Sequence, residues 1–228
     1  DNDHSFSGHR EAELRQRGSY DERGSWKHGG SGFADFKRSY SFEDNPFKAG
    51  SFRIAECNPE KASASVKWTP DIKERGEYAV YISYASMPNS CDQAHYTVRH
   101  LGGETKFIVD QSRGGGTWIY LGTFEFGEGE EGCVILDNRG RQGQVVSADA
   151  VKIGGGMGKL EREGKTSGMA SSAEGAHYWM QWAGVDSKIT QNWDNDYTND
   201  YATRGLWTVM MQEEKGIPFD LSLAFHSD

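Results

Sequence analysis

The stretch GEYAVYISY, residues 76–84, decides the fold class. Its larger apolar residues Tyr78, Val80, Ile82 and Tyr84 fall at every second position. Successive side chains of a β-strand point to opposite faces, so this period of two is typical of a strand that is buried on one side. The stretch therefore predicts a half-buried strand with those four residues towards a core.

The same pattern extends along the chain from this strand. Residues 94–100 alternate in the same way, and LGGE at 101–104 predicts a tight hairpin turn into a returning strand that contains Phe107 and Val109. Further strands are predicted at 118–126, 133–136 and 145–153, with glycine-rich turns and no helical pattern between them. Short strands at this spacing predict a mainly β fold, an antiparallel β-sandwich or jelly roll.

The composition and the spacing of apolar residues change before and after these strands. Residues 1–32 are polar and predict a linker or an N-terminal segment of a host domain, whereas 33–156 predict the sandwich. After the glycine-rich hinge at 154–158, residues 157–228 predict a small α/β piece of two helices and a strand. Helical spacing joins Ala173, Ala176, His177 and Met180 in the first helix, and Ala202, Leu206, Val209 and Met210 in the second, with Asp196 or Asn199 as its N-cap. The apolar run at 217–225 predicts a buried strand.

Composition excludes several classes of protein. The 228 residues are 36% hydrophobic and 12% aromatic, which is enough material for a core and excludes wholesale disorder. A net charge of -9 argues against nucleic acid as a partner, and no apolar run is long enough to span a membrane. Cys57, Cys91 and Cys133 form no metal-binding motif, and because their number is odd, disulfides are not expected as the main stabilising feature.

The predicted sandwich resembles the golvesin/xanthan-lyase-type carbohydrate-binding-like domain. The residues that match are WTP at 68–70 before GEYAVY at 76–81, YTVRHLGG at 96–103, VDQ at 109–111, GTWIYLG at 116–122 and VVSADAV at 145–151. This resemblance covers about residues 43–153 and implies a β-sandwich accessory module that binds polysaccharide and is attached to a secreted or cell-surface enzyme.

The C-terminal end is similar to a strand of zinc-dependent N-acetylmuramoyl-L-alanine amidases. In FDLSLAFHSD at 219–228, His226 matches one zinc ligand of that family, and no other ligand is found at the right place. Serine follows the histidine where the family has alanine. The similarity implies a sandwich inserted into an amidase-like host domain, with zinc bound by the full-length protein and none by this chain alone.

Aromatic residues of the sandwich are the candidate binding residues. Tyr81, Tyr84, Trp118 and Tyr120 could stack on sugar rings, and Arg99 on the presumed outer face could bind hydroxyl groups. The alternative is structural, because Trp118 and Tyr120 alternate with Phe124 and Phe126 as a core face would.

Three functions remain open from the sequence. The first is a non-catalytic polysaccharide-binding accessory module of a secreted, periplasmic or cell-envelope protein, with polysaccharide or peptidoglycan and the rest of the host domain as partners. The second is a fragment of a zinc amidase, inactive as given, and the third is a cell-surface adhesion domain. No catalytic residue is expected within this chain.

Overall fold

The computed structural model describes residues 2, 18–35, 39–41, 44–154, 159–162, 165–166, 174–190 and 195–223. The strands are β1 (Gly18–Arg23), β2 (Lys27–Gly32), β3 (Ser39–Tyr40), β4 (Gly50–Glu56), β5 (Ser65–Pro70), β6 (Gly76–Ile82), β7 (Ala94–His100), β8 (Gly103–Val109), β9 (Ile119–Phe126), β10 (Cys133–Asp137), β11 (Val145–Ala148), β12 (Val151–Ile153), β13 (Lys159–Arg162) and β14 (Lys165–Thr166). The α-helices are α1 (Ala176–Trp182) and α2 (Asp196–Glu213), and short 3-10 turns lie at Pro46–Lys48 and Ser187–Thr190.

The described strands pair into a sandwich of antiparallel sheets. One side is a five-stranded sheet in the order β1-β5-β10-β7-β8, and the other consists of the three-stranded sheets β11-β4-β2 and β12-β6-β9. All their pairings are antiparallel, whereas β13 pairs in parallel with β3 in a separate small sheet. The prediction of a mainly β, antiparallel fold is confirmed.

The main core lies between the two sides of the sandwich. It joins side chains of the five-stranded sheet to those of β4, β6, β9 and β11. Its least exposed members, at no more than 2% exposure, are Val66, Val80, Ile82, Tyr84, Cys91, Ala94, Tyr96, Val98, Phe126, Val134, Leu136, Val146 and Ala148. Burial of this apolar surface, at about 25 cal/mol per Å², is the main favourable term that holds the sheets together.

The alternation predicted for residues 76–84 and 94–100 is confirmed. Val80 and Ile82 are 0% exposed, and Tyr84 is 2% exposed just beyond the end of β6. The predicted hairpin joins β7 to β8, with His100 opposite Gly103. Gly103 has a φ of 115°, a conformation that residues with a Cβ rarely adopt, and this explains the glycine at that point of the turn.

A β-bulge in β9 contradicts the prediction that Trp118, Tyr120, Phe124 and Phe126 share one face. Val80 pairs with Gly122, but the next residue, Tyr81, pairs with Tyr120, so one residue of β9 is left over between them. An extra residue moves all later side chains to the opposite face. Phe124 and Phe126 therefore pack towards the core together with Ile119 and Leu121, while Tyr120 is 55% exposed on the outer face.

The first strands belong to the sandwich itself. β1 pairs with β5, and β2 pairs with β4. We expected the sandwich to begin at residue 33, because the strands before it are rich in charge and glycine. Among the described strands, β1 and β2 are edge strands, each hydrogen-bonded to a neighbouring strand along one edge only. A strand at this position is more exposed to solvent than a central strand, so it needs few apolar residues.

Both predicted helices are present beyond the sandwich. His177 and Met180 of α1 are 0% exposed, as expected from their spacing, and Gly184 after the helix has a φ of +81°. Ala173, the first residue of the predicted pattern, lies outside the described residues. The N-cap of α2 is Asn195, whose side chain accepts a bond from the Thr198 amide, rather than Asp196 or Asn199.

The strand predicted at 217–225 is not formed over its described part, 217–223. Its apolar side chains are exposed, with Leu221 at 72% and Leu223 at 67%. The Ile217 amide donates to Met211 O at 3.0 Å, which closes the C-terminal end of α2. A strand needs a ladder partner for its backbone groups, and no described strand lies beside this segment. Residues 224–228, the end of the predicted strand and the motif that follows it, lie outside the described residues.

Neither described helix combines the length and the apolar character that a membrane-spanning helix needs.

Candidate functional site

Cross-strand pairing brings three side chains into one row on the outer face of the β12-β6-β9 sheet. Lys152 lies opposite Tyr81 in the β12–β6 pair, and Tyr81 lies opposite Tyr120 in the β6–β9 pair. Val80 and Ile82, the neighbours of Tyr81, point into the core, so Tyr81 points outward. We call Lys152, Tyr81 and Tyr120 the aromatic face.

The two tyrosine rings of the aromatic face form a pair. Their centroids are 5.1 Å apart and the ring planes meet at 46°. Tyr120 is 55% exposed, and its hydroxyl is hydrogen-bonded to the Thr123 hydroxyl at 2.7 Å. Because the bulge in β9 turns Tyr120 outward, the pair presents an aromatic surface to the solvent.

Lys152 lies among aromatic rings. Its Nζ atom is 4.2 Å from the ring centroid of Tyr81, 5.0 Å from that of Trp182 and 5.7 Å from that of Trp118. Ring faces attract a cation, which offsets part of the cost of removing the ammonium group from water. Burial nevertheless lowers the pKa of Lys152 to about 8, because it disfavours the charged form.

No carboxylate of the described residues lies within 4.0 Å of the Lys152 ammonium group. The side chain is half-buried, and a lysine in such a position usually has an acidic partner. The hydrogen-bonding capacity of its three N–H donors therefore remains for solvent or for a ligand.

A second aromatic cluster, formed by Phe33, Trp118 and Trp182, packs beside the aromatic face. Trp118, directly before β9, lies 5.3 Å from Trp182 of α1 and 4.8 Å from Phe33, measured between ring centroids. Trp182 is 4% exposed and Phe33 is 5% exposed. Trp118 is half-buried in this cluster, so its position agrees with the packing alternative, while its ring also borders Lys152.

Tyr84 does not belong to the aromatic face. Its ring is 2% exposed, and its hydroxyl donates to Arg113 O at 2.9 Å. The strand β6 ends at Ile82, and the alternation continues into the core for one more pair of residues. Tyr84 therefore holds the loop around Arg113 in place and offers no face to a sugar.

Arg99 is also separate from the predicted group of binding residues. It lies on the outer face of β7, in the five-stranded sheet, opposite Glu104 of β8. Its Nε atom donates to Glu104 Oε1 at 2.7 Å. The outer faces of the two sides of a sandwich point in opposite directions, so Arg99 cannot contact a ligand bound at Tyr81 and Tyr120.

Asp149 has a structural role as a charged residue inside a buried segment. It is 2% exposed, and its carboxylate accepts hydrogen bonds from the Phe33 amide at 2.8 Å and the Ser83 hydroxyl at 3.0 Å. These bonds join the end of β6 to the segment that contains Phe33, and so they connect the sandwich with the second aromatic cluster.

The predicted zinc ligand His226 lies outside the described residues. Among the residues that the structure does describe, no group of three His, Cys, Asp or Glu side chains is arranged to hold a metal ion. The acidic loop before α2 behaves as a capping loop where it is described, from Asn195 onward.

Two residues of this site were missed by sequence reasoning. Lys152 lies between Val151 and Ile153, and a lysine that alternates with apolar residues could have indicated the outer face of a strand. Trp182 has no such signal, because only the packing of α1 against the sandwich brings it to Lys152.

A concave surface separate from the aromatic face, the polar cleft, lies at one end of the sandwich. Its volume is about 760 Å³. It lacks an aromatic side chain and therefore offers no stacking surface to a sugar ring. The cleft is lined by Glu56, Cys57, Asn58, Pro59, Glu60, Ser63, Asn89, Gln142, Gly143, Gln144 and Val145.

These features define the class of the protein as an antiparallel β-sandwich domain with aromatic side chains on the outer face of one sheet. Residues 15–155 match the Golvesin C-terminal domain family, and the chain belongs to that family. The predicted golvesin resemblance is thereby confirmed, whereas the amidase-like host remains a prediction.

Known proteins with similar sequence or structure include xanthan lyases. A xanthan lyase of Bacillus sp. (strain GL1) is 37% identical over 106 residues, which are 46% of this chain and 11% of that protein. The chain thus spans about a tenth of the length of this relative. The solved structure of Paenibacillus xanthan lyase is 27% identical with a TM-score of 0.48, and the match covers 59% of this chain and 12% of that one. CBM35 from Cellvibrio japonicus is 17% identical with a TM-score of 0.38, covering 64% and 96% of the two chains.

Proposed function

We propose that this chain is a non-catalytic polysaccharide-binding accessory module and that the aromatic face is its binding surface. The observation that supports this most directly is the row of Lys152, Tyr81 and Tyr120 across three paired strands. It combines an exposed aromatic surface with a cation that has no carboxylate partner among the described residues.

The chemistry of the row suits a sugar ring. The C–H face of a pyranose packs on the flat side of an aromatic ring, and Tyr81 and Tyr120 lie 5.1 Å apart, within reach of one or two adjacent sugar units. Lys152 would donate hydrogen bonds to hydroxyl groups or to the carboxylate of an acidic sugar, and the second would be the stronger bond because both partners are charged.

Family membership supports the same function. The region that matches the Golvesin C-terminal domain family, residues 15–155, contains all three residues of the aromatic face. We therefore place this chain beside a polysaccharide-acting or peptidoglycan-acting domain of a secreted or cell-envelope protein, where it would hold the glycan close to its partner domain. It supplies no catalytic group in this proposal.

Affinity gel electrophoresis tests the proposed binding surface. The protein is run through gels that contain xanthan, as an acidic polysaccharide, or hydroxyethylcellulose, as a neutral one. The migration of the wild type should be retarded in at least the xanthan gel, and Tyr81→Ala with Tyr120→Ala should remove the retardation. The Tyr81→Phe variant keeps the ring and should stay retarded.

Arg99→Ala is the matched control for these variants. It removes an exposed side chain from the opposite outer face, so its retardation relative to a gel without polysaccharide should equal that of the wild type. Equal loss of retardation in Arg99→Ala and in the tyrosine variants would show that the aromatic face is not the binding surface. Unretarded wild type across acidic and neutral polysaccharides, peptidoglycan fragments included, would overturn the function itself.

No observation on the described residues favours the zinc amidase alternative or the adhesion alternative. The amidase prediction depends on His226 alone. It predicts that the full-length protein binds one zinc ion and that the His226→Ala variant does not, as metal analysis would measure.

A further inference from the structure

Two of the three cysteines lie side by side in the fold although they are far apart in the sequence. Cys57 follows β4, and Cys91 lies in the loop between β6 and β7. The Cys57 amide donates to Gln144 O at 2.9 Å, and the Cys91 amide donates to Val145 O at 2.7 Å. Consecutive carbonyl groups of one segment therefore hold both cysteines at the end of the main core.

Gly140 shows how close the two sulfur atoms are. A Cβ atom on this glycine would lie 2.8 Å from Cys57 Sγ and 2.8 Å from Cys91 Sγ. The two sulfur atoms are therefore at most about 5.6 Å apart, twice that distance. A side chain at residue 140 would push into both, so the glycine leaves room for the pair. Both cysteines are thiols in this structure.

The two thiols shift each other's pKa in opposite directions. Interaction with the Cys57 thiol, together with the backbone amide of Gln93, outweighs burial and lowers the pKa of Cys91 to about 7. The pKa of Cys57 is raised by its interaction with Cys91, by burial and by the repulsion between two neighbouring negative charges. Thiolate, rather than thiol, is the form that attacks a disulfide.

Cys57 and Cys91 differ in how much of each residue is exposed to solvent. Cys57 is 9% exposed and lines the polar cleft, whereas Cys91 is 0% exposed behind it. A small molecule that enters the cleft can reach Cys57 first, and Cys91 is then the neighbouring thiolate that can displace it. Cys133 is separate, on β10 with the Arg99 side chain nearby.

We propose that Cys57 and Cys91 are a redox-active pair that forms a disulfide by exchange with a small-molecule disulfide such as oxidised glutathione. In the first step the Cys57 thiol gives its proton to the neighbouring Cys91 thiolate, and the Cys57 sulfur attacks the small disulfide, forms a mixed disulfide and releases one small thiolate, which takes the proton from Cys91. In the second step the Cys91 thiolate attacks the Cys57 sulfur, which forms the protein S–S bond and expels the second small thiolate. Two cysteine thiols are oxidised, one small disulfide is reduced, and the two protons from the cysteines end on the two released thiols.

The bond would join the end of β4 to the β6–β7 loop on the floor of the polar cleft. A crosslink that closes a loop of this length restricts the unfolded chain and raises stability. For a domain of this size the midpoint of thermal unfolding should rise by on the order of 10 °C on oxidation.

Mass spectrometry on the wild-type chain tests the proposal directly. The protein is equilibrated in buffers of increasing oxidised-to-reduced glutathione ratio, quenched with iodoacetamide in denaturant so that buried thiols are also alkylated, and digested without reductant. The expected product is one linked peptide pair that contains Cys57 and Cys91 and is two hydrogens lighter than the separate peptides, with Cys133 alkylated. Alkylation of both Cys57 and Cys91 at every ratio, a stable glutathione adduct on Cys57, or linkage to Cys133 would each overturn it.

Thermal unfolding provides a second, independent measurement. The rise in the unfolding midpoint on oxidation should persist in Cys133→Ala and be absent in Cys91→Ala. If Cys91→Ala fails to fold, the comparison of oxidised and reduced Cys133→Ala still decides the question. An unchanged midpoint in that variant would contradict a disulfide that joins the loop to β4.

Discussion

The two outer faces of the sandwich differ in how their charged groups are used. On the face of β7 and β8, Arg99 is bonded to Glu104, and the strands present mainly polar or charged side chains to solvent, together with the exposed Ile108. On the face of β6, β9 and β12, tyrosine rings surround a lysine that has no carboxylate partner among the described residues. Arg99 and Glu104 are already paired with each other, whereas the Lys152 ammonium group is not paired within the part of the chain that the structure describes, so the difference favours the second face in the proposed binding.

Two local features create this difference from strands of similar composition. The bulge in β9 turns Tyr120 outward, whereas β8 has no register shift in its pairing with β7. The helix α1 then covers one margin of the β6-β9-β12 face with Trp182, which brings a further ring to Lys152. Bulges commonly redirect a side chain, and this one redirects Tyr120 on one face only.

Replacement of Trp182 by alanine should have the largest effect on stability. Its indole is 4% exposed between Phe33 and Trp118, and removing a buried tryptophan costs about 3–5 kcal/mol of unfolding free energy. Urea unfolding of Trp182→Ala measures the loss. The control is Tyr197→Ala on α2, which is 81% exposed and should stay within about 0.5 kcal/mol of the wild type. Equal stability of both variants would mean that α1 does not support the aromatic face.

Lys152→Met should weaken binding to an acidic polysaccharide by about tenfold, because a charge-assisted hydrogen bond is lost. Binding to a neutral polysaccharide should change less. Isothermal titration calorimetry with a carboxylated oligosaccharide and its carboxyl-reduced form measures both values, and Lys152→Arg keeps the charge as a control. The same loss for both oligosaccharides would limit the role of Lys152 to packing.

The titration of Lys152 should appear in the stability of the protein. Its pKa is about 8 in the folded state and near the ordinary value of 10.5 when unfolded, so the unfolded chain binds more protons between these values. The wild type should therefore gain stability relative to Lys152→Met as the pH rises from about 8 to 10.5, and binding of an acidic sugar should weaken over the lower part of the same range. Urea unfolding of both proteins at several pH values checks the sign. A constant difference between them would place the ammonium group in full contact with water.

The smallest effect on stability is expected on the outer face of β7 and β8. Arg99 and Glu104 are both well exposed, at 52% and 44% of their side-chain surface, and exposed ion pairs contribute about 0–1 kcal/mol. A double-mutant cycle with Arg99→Ala and Glu104→Ala should give a coupling energy in this range that decreases with salt. A coupling of several kcal/mol would show that this face is more rigid and more dehydrated than its exposure indicates.

The local periodicity of apolar residues was sufficient to predict most strands of the sandwich. The alternation at 76–84 and 94–100 and the turn at 101–104 each predicted their elements, because inward and outward positions along one strand depend only on the pleat. The outward position of Tyr120 could not be predicted in this way, since the bulge that causes it depends on the register between β6 and β9. Tyr84 was grouped with Tyr81 as a binding candidate, although the alternation at 76–84 already predicted Tyr84 towards the core, where its hydroxyl donates to Arg113 O.

Longer-range features were the least predictable. Contact between Trp182 and Lys152 requires α1 to pack on the sandwich, and the proximity of Cys57 to Cys91 requires two distant segments to meet beside Gly140. The apolar run at 217–225 shows the opposite failure, because an apolar composition predicts a strand only where another strand can pair with it. The division into a sandwich and a separate C-terminal segment remains a prediction. The second aromatic cluster contains residues from the sandwich and from α1, so it joins the two parts.

A titration of the isotopically labelled chain with a polysaccharide fragment, followed by backbone amide NMR shifts, tests the binding surface most directly. Shifts concentrated in β6, β9 and β12, strongest near Tyr81, Tyr120 and Lys152, are the expected result. Shifts concentrated in β7 and β8 or around the polar cleft, with β6, β9 and β12 unchanged, would contradict the account.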